Sequence, residues 1–240
     1  MGVRPVGSPS GQASAGGGLR HRSRRVLEAA CGTGALWAEN VDRLPTDLEL
    51  VLTDFSIGMV ASATAALADV PGVSARVADV QHLPFADNSF DHVICNHALY
   101  HVPDRPRAVA ELCRVLRSDG VAAVATNGRG HLRELDELRF RHLPDWPADD
   151  TAQAFGPETG EGQLATAFGS IGCRRYDDEL RVTEVAPMMA FVLSTPIADR
   201  RSPIGWTRRP SRRWRPRSRP RSPRRGAFVI AEDSGVFICT

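Results

Sequence analysis

The amino-acid sequence predicts an α/β fold built on a parallel sheet with helices on both faces. Three observations carry that prediction. Short apolar runs alternate five times with helix-spaced segments, a glycine turn follows the first run, and polar residues close the runs at their carboxyl ends. Alternation at this spacing is that of βαβ units, whose crossovers cover both faces of a sheet.

Val26-Leu27-Glu28-Ala29-Ala30 is the first strand, apolar enough for burial and closed by glycine. Ala35 to Leu44 has helical spacing through Leu36, Trp37, Val41 and Leu44, and stops before Pro45. Leu48 to Thr53 reads as the second strand and Ser56 to Val70 as the second helix, ended by Pro71-Gly72. Val73 to Ala78, Phe90 to Cys95 and Gly120 to Thr126 are the next strands, with a helix over Arg107 to Arg117. Further on, His131 to Arg141 and Glu161 to Phe168 read as helices and Arg175 to Glu184 as a strand. Ala227 to Ile230 and Val236 to Cys239 read as a hairpin, with Asp233-Ser234-Gly235 as its turn.

Composition narrows the classes. An apolar share of 42% suits a globular core. No apolar run approaches 18 residues, and the Gly/Ser/Arg-rich start lacks a secretion signal's apolar stretch, so neither a membrane helix nor export is expected. The five cysteines are scattered without a C-x-x-C pair, which argues against a disulfide framework or bound metal and for the cytoplasm. Every basic residue is Arg, and 12 of the 30 fall between Arg200 and Arg225. Residues 1–25 read as a disordered tail, 26–199 as the main domain, 200–225 as an Arg/Pro/Ser-rich disordered insert and 226–240 as its closing hairpin.

The chemistry gathers at the strand ends. Gly32 and Gly34 let the backbone approach a ligand closely, and the following helix offers unpaired N–H groups. Asp54, 20 residues beyond Gly34, can accept from both hydroxyls of a ribose. A nicotinamide dinucleotide would fit so far, but its G-x-G-x-x-G fingerprint needs glycine where Trp37 stands. Asp79 can accept from an exocyclic amine such as adenine N6. Glu28, Asp54, Asp79 and Asn96 all close successive strands, where open parallel sheets bind their ligands.

The stretches VLEAACGTG, VLTDFSIGM, ADVQHLPFADNSFDHVICNHALYHVPD and ELCRVLRSDG, in this order, resemble the class I S-adenosylmethionine (SAM)-dependent methyltransferases. The resemblance is to the branch acting in ubiquinone and menaquinone biosynthesis, and runs from Val26 to about Thr126. It implies a Rossmann-like, doubly wound sheet of seven strands, the last antiparallel. It also implies SAM as cofactor and methyl transfer to a small-molecule acceptor. By this resemblance Glu28 to Gly34, with Ala30, Gly32 and Gly34, wraps the methionine part, and Asp54 binds the ribose. Phe55 or Ile57 packs beside adenine, Asp79 holds N6, and the Val80 N–H reaches N1. Asn96 faces the amino group, and His97 to His101 border the acceptor. The family often has glycine where this chain has Ala30.

His97 and His101 are the candidate bases, with Tyr100 as an orienting group. The same residues have structural uses: Asp54 as a helix cap, either His as a cap or pocket wall, Cys31 as packing, and Trp37 as core or loop support. The arginine block has two readings. One is a nucleic-acid arm with Trp206 and Trp214 for stacking, giving an RNA-binding or RNA-modifying protein. The other is a segment translated out of frame, since the family has an amphipathic helix there and its pattern returns at Gly226. Loss of a covering segment before the first strand would leave a third reading, an inactive SAM-binding fold.

Overall fold

Neighbouring residues of a strand face opposite sides of a sheet, and the first strand shows why this one is covered twice. In the computed structural model, which describes residues 24–142, 151–194 and 227–240, that strand is β1 (Arg25–Ala29). Val26 packs on one face with Leu50, Leu52, Ala63 and Leu67. Leu27 and Ala29 pack on the other with Val51, Phe90, Val93 and Leu112. Two apolar layers flank the sheet, and each needs a cover of helices.

The remaining strands are β2 (Glu49–Asp54), β3 (Val73–Val77), β4 (Phe90–Asn96), β5 (Leu116–Asn127), β6 (Ile171–Val182) and β7 (Phe228–Cys239). They form one sheet in the order β3-β2-β1-β4-β5-β7-β6. The five strands through β5 pair in parallel, and β7 runs antiparallel between β5 and β6. Strand order reverses beside β1, so the crossovers diverge there and leave a crevice at the carboxyl ends of β1 and β4. This is the mostly parallel, seven-stranded sheet that the resemblance implied.

The helices are α1 (Ala35–Ala38), α2 (Ile57–Ala66), α3 (Arg105–Val115), α4 (Arg133–His142), α5 (Thr151–Ala154), α6 (Gly160–Leu164) and α7 (Val185–Ser194). Val60 and Ala63 are the buried stripe of α2, which starts at the Ser56 hydroxyl accepting from the Met59 N–H at 3.4 Å. On α3 the buried stripe is Ala108, Val109, Leu112 and Val115, with Asp104 as the N-cap. A third small cluster joins Leu135, Val192 and Ile230, tying α4 and α7 to β7.

Several boundaries differ from the sequence reading. The first helix is a single turn, Ala35–Ala38, followed by a 3-10 turn at Val41–Arg43 rather than a helix to Leu44. Glu39 and Asn40 interrupt it, and the Asn40 side chain donates to the Leu36 carbonyl at 2.7 Å. The closing hairpin is absent: Phe228–Cys239 is one strand, and Asp233-Ser234-Gly235 lie inside it. Asp233 does not turn the chain because its carboxylate accepts from the Gly130 N–H at 3.0 Å and from Arg175 at 2.8 Å. β6 starts four residues earlier than Arg175 and ends at Val182, and α7 was missed altogether. The predicted tail and arginine insert fall outside the described residues, except that Arg25 opens β1.

One network holds the loop between β3 and β4 against α3. Glu111, nearly buried, accepts from the Leu83 N–H and from Arg114, each at 2.8 Å. Arg114 also donates to the carbonyls of Leu83 and Phe85. The hydrogen bonds from Arg114 hold the Glu111 carboxyl below its ordinary range against the cost of burial. A depressed folded pKa stabilises the protein above the unfolded value and loses that contribution as pH falls. Glu111→Ala is expected to cost about 2 kcal/mol at pH 7. The difference from the unaltered chain should shrink below about pH 4, read by urea unfolding at both pH values. A constant difference would contradict the network's role.

Candidate active site

The carboxyl ends of β1, β2 and β4 bring three of the predicted residues together. Glu28 is the penultimate residue of β1 and is only 3% exposed. Its carboxylate accepts from the Trp37 indole N–H at 2.6 Å and from the Asn96 amide at 3.4 Å. The Thr53 hydroxyl donates to the Glu28 carbonyl at 3.3 Å, fixing the strand end below it. No cation pairs with Glu28 among the described residues. Burial therefore dominates and pushes its pKa up to about 7, although Trp37 and Asn96 pull the other way. Trp37, left undecided by the sequence, is a positioning group for this carboxylate.

Asp54 ends β2 and holds the glycine loop to the second helix. One oxygen accepts from the Gly32 N–H at 2.9 Å and the other from the Ser56 N–H at 2.8 Å. The helix cap itself is Ser56, so Asp54 orients the entrance of α2 without capping it. Within the loop Ala30, Gly32 and Gly34 all have positive φ, at 61°, 56° and 75°. A Cβ at Gly34 would stand 3.1 Å from that of Ala63, so this glycine also permits close packing of loop on helix. Above Gly32 nothing lies within 4 Å of where a Cβ would be, which leaves an open cradle. Phe55 and Ile57, each 78% exposed, border it as an apolar surface that the fold itself does not use.

Asp79 lies in the next loop, where Gln81 holds its carboxylate through backbone and side-chain N–H groups at 2.9–3.0 Å. Val80 beside it is buried in the core layer under β4. The Ala78 N–H, just before Asp79, donates to the Asp54 carbonyl at 3.0 Å and so ties this loop to the end of β2.

After β4 the chain turns at His97, whose φ of 51° is left-handed. Withdrawal from water and then the nearby His131 lower its pKa, against a hydrogen bond with the Asn127 side chain. His97 is therefore a neutral imidazole near pH 7, as a base must be. Tyr100 and His101 occupy a 3-10 turn, with ring centroids 4.6 Å apart in an edge-on pair. Neither histidine caps the helix that follows, because Asp104 does. Burial, then the charges of Glu28 and Asp54, push the Cys31 thiol up to about 12, which makes it a packing group. His131 is the residue sequence reading missed here, a lone histidine in a loop with no motif around it. Among the described residues no cluster of potential metal ligands occurs.

Residues 27–124 match the family model described as a methyltransferase domain. More particularly, the chain is 36% identical over 151 residues to a malonyl-[acyl-carrier protein] O-methyltransferase of Geobacter sulfurreducens, covering 61% of this chain and 56% of that one. It is 34% identical over 103 residues to a ubiquinone/menaquinone biosynthesis C-methyltransferase of the same organism, covering 42% and 40%. The chain thus spans about half the length of the curated relatives it matches. The fold is shared with a phosphoethanolamine N-methyltransferase of Haemonchus contortus solved with S-adenosylhomocysteine. That match has a TM-score of 0.54 at 15% identity and covers 93% of this chain and 50% of that one.

Ala30 is the one loop residue whose side chain opposes its backbone. The left-handed conformation costs an L-residue with a Cβ about 1–2 kcal/mol, part of which glycine recovers in the unfolded chain's entropy. Ala30→Gly should stabilise the protein by about 0.5–1 kcal/mol in urea unfolding; a loss of stability would contradict the strained loop.

Proposed function

We propose that this chain binds SAM in the cradle of Glu28 to Gly34 and transfers its methyl group to a small-molecule acceptor. The observation that supports it most is the buried Glu28 carboxylate, which has donors but no cation. A ligand ammonium placed there would supply the missing charge, as the methionine part of SAM offers. In this reading Asp54 receives the ribose hydroxyls, the exposed Phe55 and Ile57 cover the adenine, and Asp79 with Val80 meets its edge. The open space above Gly32 leaves room for the methionine chain.

SAM supplies an activated sulfonium methyl when bound. The protein's part is then largely geometric: holding donor and acceptor in line can contribute up to roughly 7–11 kcal/mol. The methyl carbon gains a bond to the acceptor and loses its bond to sulfur, leaving S-adenosylhomocysteine. Where the acceptor carries a proton, His97 would serve as the base, since its lowered pKa keeps it neutral. His101 and Tyr100 form the neighbouring wall. Among the described residues no helix is long and apolar enough to cross a membrane, and we place the protein in the cytoplasm.

Titration with S-adenosylhomocysteine tests the reading. Asp54→Ala should weaken binding by at least about tenfold, the loss of charge-assisted hydrogen bonds. Glu28 has a raised folded pKa, so its ionised form is disfavoured below about pH 7 and costs stability above it. Affinity for S-adenosylhomocysteine, whose ammonium group meets Glu28, should therefore rise about five- to tenfold between pH 6 and pH 7.5, and Glu28→Gln should flatten that rise. Absence of binding by the unaltered chain would remove the proposed activity.

A further inference from the structure

A cavity of about 610 Å³ lies between α4, α7 and the adjoining ends of β6 and β7. Its wall is mostly apolar, made by Leu132, Leu135, Leu180, Val182, Met188 and Ile230. That volume falls in the range that encloses a small ligand. Because β7 runs antiparallel between β5 and β6, the carboxyl end of β6 and the start of β7 share a sheet edge with the carboxyl ends of β4 and β5. The cavity and the carboxylate cluster therefore stand on the same edge.

Two unusual features mark the wall nearest that cluster. His131 lines the cavity, and its Nδ1 is buried without a hydrogen-bond partner among the described residues. Leu132 holds a φ of 56°, a left-handed conformation that is costly for a bulky side chain. The turn is held in this form by the Leu132 N–H donating to the Ala231 carbonyl at 2.8 Å and the Gly130 N–H donating to Asp233. His131 is also close enough for its charge to act on His97, which directly follows Asn96. Two imidazoles thus link the apolar cavity to the Glu28 cluster.

We propose that this cavity receives the body of the methyl acceptor, an uncharged amphipathic molecule whose single hydroxyl or carbonyl bonds to His131. This rests on the methyltransferase reading of the Glu28 site. The charges at the wall oppose an anion: Glu184 and Glu232 stand against Arg181, which already pairs with Glu179 at 2.8 Å. The apolar lining opposes a full charge of either sign. A ring nitrogen without a partner can donate to or accept from a hydroxyl, and the His131 Nδ1 is such an atom. An apolar body in the cavity then points the polar end of the molecule toward His97.

The test is isothermal titration of the full chain with 4-pentylphenol, with pentylbenzene and, separately, with S-adenosylhomocysteine. The phenol should bind about tenfold more tightly than the hydrocarbon. His131→Phe should abolish that advantage and leave pentylbenzene binding unchanged. Met188→Trp, which fills the cavity, should weaken both by about tenfold, while affinity for S-adenosylhomocysteine stays within about twofold in either variant. Equal binding of phenol and hydrocarbon, no binding of either, or indifference to Met188→Trp would overturn the proposal. Phenol binding as expected without S-adenosylhomocysteine binding supports the cavity and sinks the cofactor reading. The reverse pattern sinks the cavity alone.

Discussion

A carboxylate kept almost free of water is the constraint on which this site depends. Glu28 is buried because β1 is an interior strand of the sheet, and its neighbours on both faces are core residues. Removing a charge from water is costly, so such a group either takes up a proton or finds a counter-charge. The fold supplies two donors, from Trp37 and Asn96, which orient the carboxylate without neutralising it. The remaining charge is left for a ligand. Asp54 plays a complementary part: by holding Gly32 and Ser56 it shapes the loop over which that ligand would lie.

The rest of the architecture serves to hold that arrangement in place. Reversal of the strand order beside β1 leaves the crevice open. Glu111 and Arg114 fix the loop carrying Asp79 and Val80 onto α3. Asp233 fixes the turn after β5 through Gly130, and so sets the position of His131. Of the four non-glycine residues with positive φ among the described residues, Ala30, His97 and Leu132 lie on this edge of the sheet; the fourth, Asn88, precedes β4, and asparagine tolerates that conformation.

The parallel half of the fold was legible in the sequence because its signals are local. Buried parallel strands are short apolar runs, and the residues that end them are polar for a reason visible in the sequence itself. The later half lacks such signals. β6 carries the run Arg174-Arg175-Tyr176 to Arg181 on an exposed strand, so its apolar alternation is weak. Asp233-Ser234-Gly235 has turn chemistry, but distant partners, Gly130 and Arg175, keep it in a strand. Trp37 gave only a negative signal, against a third glycine; its bond to Glu28 needed the geometry of α1 over β1. His131 was invisible for the same reason, since what distinguishes it is a missing partner and a neighbouring cavity.

The central claim is that the ammonium group of a nucleoside ligand completes the edge around Glu28. Hydrogen–deuterium exchange of the full chain, with and without saturating S-adenosylhomocysteine, tests it most directly. The account predicts slowed exchange in peptides covering 28–34, 53–57, 79–81 and 96–97, with β3 and the start of α3 unchanged. Unaltered exchange in the 28–34 and 53–57 peptides at saturating ligand would contradict it.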